Sequence, residues 1–152
     1  MHSLNAFQTA VSLATRERDA AAQRLASARQ SWLAAQVQLD QLQSYAGETE
    51  ARWAQQALRC TPEIMGHHYQ FMERLNHAIR LQTGVVAQQA DAVKLVADRL
   101  RLAETRREGL LQVHAKRVAE QRRVLDRREQ KASDERAALQ YSRLGAGAIG
   151  GA

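Results

Sequence analysis

The chain has 152 residues, of which 25% are charged and only 5% aromatic, and it carries a formal net charge of +6. So few large side chains argue against a thick globular core, while the abundance of alanine, leucine, glutamine and arginine favours helix. The single cysteine, Cys60, excludes an internal disulfide and a thiolate metal cluster, and no apolar run is long enough to span a bilayer.

The opening Met1-His2-Ser3-Leu4-Asn5-Ala6-Phe7 lacks the basic stretch and apolar block of a secretory signal, so any membrane association is expected to be peripheral. A first helix is expected over about residues 4–58. Its apolar positions recur in steps of three and four: Leu4, Phe7, Val11, Ala14, Ala21, Leu25, Ala28, Trp32, Ala35, Leu39, Leu42, Ala46, Thr49 and Trp53, with only Arg18 interrupting. This is a sustained coiled-coil heptad, with the seam at its a and d positions. Alanines alternating with large residues predict a close seam, in which Trp32 and Trp53 need space opposite them.

The only proline, Pro62, lies in Cys60-Thr61-Pro62-Glu63-Ile64-Met65-Gly66. A helix must stop or restart there, because proline has no N–H and clashes with the preceding turn. A turn is expected over 59–67, and a second helix over about 68–144. Leu75, Ile79, Val86, Val93, Val96, Leu100 and Ala103 give the second helix its stripe. Beyond Arg107 the apolar phase slips to Leu111, Ala115, Val118 and Leu125, which predicts a local change of supercoil. Gly84 and Gly109 each weaken the helix by roughly 1 kcal/mol relative to alanine, and would bend it or allow close approach. The Gly/Ala-rich tail, residues 145–152, reads as flexible.

These elements predict an all-α fold: a single long antiparallel two-helix coiled-coil hairpin over residues 1–144. At about 1.5 Å per residue the helices would be roughly 80 and 110 Å long, so the second overhangs over about Arg122–Arg143. A parallel dimer of broken helices is the alternative. The hairpin satisfies both stripes within one chain.

No catalytic arrangement, phosphate-binding loop or zinc motif is present, so the chain is read as a non-enzyme that needs no cofactor or metal. His67, His68 and His77 lie close in sequence but are read as exposed, and Cys60 as a loop thiol. Charge is uneven. It is near zero up to Cys60 and balanced from Thr61 to Leu100, but Arg101–Arg143 holds twelve Lys/Arg against seven Asp/Glu. The basic run containing Arg122, Arg123, Arg127, Arg128 and Lys131 resembles a DNA-reading basic region. Interleaved Asp126, Glu129, Asp134 and Glu135 would repel phosphates, and adenine-reading asparagines are absent. A solvated helix end, a protein-binding end and a nucleic-acid-binding end all stay open from charge alone.

Near the turn, Gln38, Leu42, Tyr45 and Thr49 form one row on the first helix, and Phe71, Leu75, Ala78 and Gln82 form another on the second. The hairpin sets these rows side by side at the edge of the seam. Leu42, Leu75 and Ala78 contribute to the core, while Tyr45, one step off the a/d register, suits a partner anchor.

Leu4-x-x-Phe7, Gln38-Leu39-x-x-Leu42-x-x-Tyr45 and Tyr69-Gln70-Phe71-x-x-x-Leu75-x-x-Ala78-Ile79-x-x-Gln82 resemble the FliJ family of flagellar type III export proteins. The third stretch is the most specific. The resemblance implies a cytoplasmic antiparallel coiled coil, peripherally associated with the inner membrane at the flagellar base. It implies a central stalk that docks its paired ends in the export ATPase ring, binds the cytoplasmic part of the large membrane export-gate protein and handles export chaperones. It assigns gate binding to residues Gln38, Leu42, Tyr45, Thr49, Phe71, Leu75, Ala78 and Gln82. Thr49 stands where an aromatic can occur in the family, and Gln82 where a histidine can. Arg122, Arg123, Arg127 and Arg128 are the candidates for ring binding, chosen from their charge. The alternatives are a stalk of a virulence-type secretion system, a basic scaffold and a nucleic-acid-binding rod.

Overall fold

The structure, a computed structural model, describes the backbone of residues 2–150 and the side chains of residues 5–147. It contains two long helices, α1 (His2–Gln56) and α2 (Pro62–Gly150), joined into an antiparallel hairpin with no sheet among the described residues. The chain divides into two compact units. Ser12–Arg106 forms one, and Met1–Val11 with Arg107–Ala152 forms the other.

The link is short because the sequence both ends one helix and starts the next within a few residues. A single 3-10 turn over Ala57–Arg59 follows α1, and Cys60 is extended. The Cys60 thiol donates to the Gln56 carbonyl at 3.1 Å. Helix α2 then begins at Pro62, earlier than the position near 68 read from apolar spacing. Thr61 is its cap: its hydroxyl accepts from the Ile64 N–H at 3.4 Å, and its carbonyl accepts the first helical bond from Met65 at 3.1 Å. Proline is tolerated in the first helical position, where its missing N–H would have no partner, and Glu63 favours the positive end of the helix dipole. Pro62 therefore opens α2 rather than lying in a loop. At its other end α2 continues through Gly150, past the boundary expected at 144. No proline interrupts it there, and alanines alternate with the glycines. Gly151 and Ala152 lie outside the described residues.

Within Ser12–Arg106 the α1 stripe lies where the heptad puts it. Ala14, Ala21, Leu25, Ala35, Leu39 and Ala46 are buried, and Ala28, Trp32, Leu42, Thr49 and Trp53 are half-buried between them. Arg18, the interruption, is half-buried and pairs with Asp19 at 2.8 Å, so its head group reaches polar company at the seam's rim. On α2 the seam runs through His68, Met72, Leu75, Ile79, Gln82 and Val86, and onward to Leu100 and Ala103. Ala46, Met72 and Leu75 form a buried cluster, with Leu42 and Ile79 packed against it. Trp53 stacks on His68, ring centroids 4.0 Å apart and planes within 6°.

In the other unit Phe7 stacks on His114 at 4.5 Å, and Val11 is half-buried. The Leu4 side chain lies outside the described residues. Here one expectation is overturned. The α2 seam does not slip after Arg107: it continues in step through Ala103, Arg107, Leu110 and His114, all half-buried. Leu111, Ala115, Val118 and Leu125 are exposed instead. Polar Arg107 and His114 occupy seam positions and disguise the register, whereas the four apolar residues belong to a separate stripe beside it. Gly84 and Gly109 are helical, and a Cβ on either would meet open space, so neither serves close approach.

Candidate protein-binding faces

The residues expected to bind the gate come together along one flank of the Ser12–Arg106 unit. Burial fixes α1 positions such as Leu39 and Ala46 as a, and Leu42 and Thr49 as d. Gln38 and Tyr45 then fall at g, beside the seam. On α2, Leu75 and Gln82 fall at d, and Phe71 and Ala78 at g. In an antiparallel pair the g flanks of the two helices are neighbours, and the contacts agree. The Tyr45 and Phe71 rings meet edge-on at 6.0 Å and 81°. The Gln82 amide donates to the Ala35 carbonyl at 2.9 Å and to the Gln38 side-chain oxygen at 3.2 Å.

The eight residues therefore differ in what they can do. Leu75 is 8% exposed and belongs to the core, with Leu42 against it. Thr49 is half-buried, and its hydroxyl is used within α1, donating to the Tyr45 carbonyl at 2.8 Å. Gln82 bridges the helices, and Ala78 is half-buried. Tyr45 at 50% exposed, Phe71 at 41% and Gln38 are left facing water. An edge-on aromatic pair is worth about 0.5–1.5 kcal/mol beyond its area, so the two rings hold each other in place while keeping apolar surface open.

The second candidate face lies on α2 in the other unit. Arg122, Arg123, Arg127 and Arg128 are fully on the surface, and none has an ion-pair or hydrogen-bond partner among the described residues. Beside them runs the exposed stripe of Leu111, Val118 and Leu125, continued by Leu139. From Ala115 to Gly147 only Ala132 is even half-buried. Both the arginines and this stripe are visible in the sequence. That the stripe has no partner among the described residues is not, because polar residues in the true seam conceal where pairing continues.

Neither face is built for catalysis. Among the described residues no group of three or more His, Cys, Asp or Glu side chains is placed to hold a metal, and no helix is long and apolar enough to cross a membrane. His67 is exposed, and His68 is spent on Trp53. Helical hairpin, open aromatic flank and basic helix end together define an interaction protein of the coiled-coil class. The FliJ family, described as flagellar FliJ protein, matches residues 2–146, and the chain belongs to that family. It is thus a non-enzymatic component of the flagellar type III export apparatus, in the role of central stalk. No curated protein and no solved structure matches the chain.

Proposed function

We propose that this stalk works from two places: its basic end engages the export ATPase ring, and its Tyr45–Phe71 flank engages the cytoplasmic domain of the export-gate protein. On this reading the protein is cytoplasmic, is held peripherally at the membrane face of the flagellar base, and also receives export chaperones. The observation that carries it is the unpartnered helix end. There an apolar heptad stripe, Leu111, Val118 and Leu125, lies exposed beside four arginines that have no acidic partner among the described residues. A long helix with so little to pack against gains most of its stability from whatever it docks into. Arginines bordering an apolar stripe suit an opening lined by carboxylates.

Charge reversal at Arg122, Arg123, Arg127 and Arg128, tested by co-purification with the export ATPase, is the direct experiment. The variant should bind the ring more weakly, with a shallower dependence on salt. Unchanged binding and unchanged stimulation of the ATPase would move the contact elsewhere.

A further inference from the structure

The flank carrying Tyr45 and Phe71 does not end there. On α2 the g and c positions continue as a second heptad stripe through Ala78, Leu81, Val85, Ala92, Leu95 and Leu102. Gln88 and Arg99 are its interruptions. The leucines are far from buried: Leu81 is 61% exposed, Leu95 53% and Leu102 66%. On α1 the matching c positions are mostly small: Leu13, Ala20, Ser27 and Ala34 recur every seven residues, with Glu17, Arg24 and Ser31 between them. Two contacts show that these rows lie on the same side of the unit. Tyr45 meets Phe71, and at the other end Arg106 pairs with Glu17 at 3.5 Å. Leucines on one helix and small residues on the other leave a shallow, largely apolar track between them. From Ala78 to Leu102 it is about 36 Å long at 1.5 Å per residue.

The opposite flank has a different character. It carries Asp19 and Asp40 on α1, and Glu73 and Glu104 beside Arg80 and Lys94 on α2, a mixture of both signs. At the c and g positions of the track the only carboxylate, Glu17, is already paired with Arg106. Of the two carboxylates bordering Leu95 at f positions, Asp98 pairs with Arg101 at 2.9 Å, while Asp91 has no ion-pair partner among the described residues. Arg24, Arg74 and Arg99 have no ion-pair partner among the described residues. One flank is thus apolar with three unpaired arginines against one unpaired carboxylate, and the other is polar and of mixed sign. Exposed apolar surface bordered by an excess of unpaired charge of one sign marks an interaction site.

We infer that this track seats a third helix: an amphipathic helix of about four heptads on a partner protein, with carboxylates bordering its own apolar seam. The heptad spacing of the leucines selects a helix rather than a strand, because knobs repeating every seven residues match only another helix's holes. The excess of free arginines selects an acidic helix, and disfavours a second copy of this chain, whose matching track carries the same excess. Apart from Ala78, the residues of the track lie outside the gate-binding set, so the two assignments stand or fall separately.

The probe is a synthetic four-heptad helix with a leucine–alanine seam flanked by glutamates, titrated into the full-length protein. A second peptide carries lysines in place of the glutamates. The glutamate peptide should bind, and the lysine peptide should bind at least about tenfold more weakly. Leu81→Glu/Leu95→Glu/Leu102→Glu should weaken glutamate-peptide binding by about tenfold or more. These positions are exposed, so helix content by circular dichroism should hold. Leu33→Glu/Val37→Glu, at exposed positions off this flank, should bind as the parent does. Equal binding of both peptides, or equal loss in both variants, would overturn the inference. So would sedimentation showing a dimer of the parent that only the Leu81/Leu95/Leu102 variant abolishes, because the occupant would then be a second copy.

Discussion

Replacing Tyr45 and Phe71 together by alanine should remove export-gate binding while leaving the hairpin folded. Tyr45 is 50% exposed and Phe71 41%, so about half of each ring is already in water in the free protein. Fully burying an aromatic side chain is worth about 1.5–3 kcal/mol, so truncation at half burial should cost about 1 kcal/mol each. Their edge-on contact adds about 1 kcal/mol more, lost once. Binding behaves differently, because a partner would cover the other half. Truncating an aromatic anchor typically costs at least about 2 kcal/mol, roughly thirtyfold in affinity, so the pair should abolish measurable binding. Leu75→Ala supplies the contrast. At 8% exposed within the Ala46–Met72 cluster, it should cost about 2–5 kcal/mol of stability. The assay is urea denaturation followed by circular dichroism, beside titrations with the gate domain and with the ATPase. The double variant should keep its helix content and its ATPase binding, lose the gate domain and impair swimming. If it loses its helix content and both partners together, the two rings are core and the assignment falls. If it keeps both, the gate binds another surface.

Trp53→Ala should lower unfolding free energy by about 1–3 kcal/mol in urea titrations, below the cost for a fully buried tryptophan, because Trp53 is half-buried and its main contact is the His68 ring. An unchanged transition would remove the seam from that position. Gly84→Ala and Gly109→Ala should each stabilise the protein by up to about 1 kcal/mol, since each glycine is helical and a Cβ there meets nothing. A loss of stability would mean that a partner or a bend needs the glycine. Amide hydrogen exchange should be fast from Ala115 onward and slowest around Leu39, Ala46, Met72 and Leu75, following burial. Uniform protection along α2 would refute the unpartnered helix end.

The fold is legible in the sequence because α1 repeats its apolar residues with almost no interruption. Every a or d position from Phe7 to Trp53 is buried or half-buried, Arg18 included. On α2 apolar spacing locates the seam only where the seam is apolar. It holds from Leu75 to Ala103 and then follows Leu111 and Val118 off the register, because Arg107 and His114 do not look like seam residues. Both can sit there for physical reasons: arginine lays an apolar stem along a seam, and His114 stacks its ring on Phe7. The start of α2 is misplaced for a simpler reason. Apolar spacing is silent over Thr61-Pro62-Glu63, although a capping threonine, a proline in the first turn and an acid after it form a start signal of their own. Of the eight residues proposed to bind the gate, periodicity puts Tyr45 and Phe71 beside the seam. That their rings meet, and that Gln82 reaches Gln38, depends on how two segments pair across the hairpin.

A chain with a thin seam has reason to keep its other stripes apolar. The buried positions of α1 are mostly alanines, and no large side chain is fully buried among the described residues. Alanine contributes little buried area, so the hairpin's own seam is a modest source of stability. Anything that binds only the folded form then adds to it by mass action, by about 2.7 kcal/mol at a hundredfold excess over Kd. Exposed leucines such as Leu81, Leu102 and Leu125 would ordinarily invite aggregation. Here each stripe is interrupted by arginines or glutamines, which keeps any one apolar patch short and like-charged surfaces apart. The same interruptions that protect the free protein also dictate the sign of charge a partner must bring. Solubility when free and selectivity when bound therefore come from the same residues, which fits a stalk whose work lies on its outer faces.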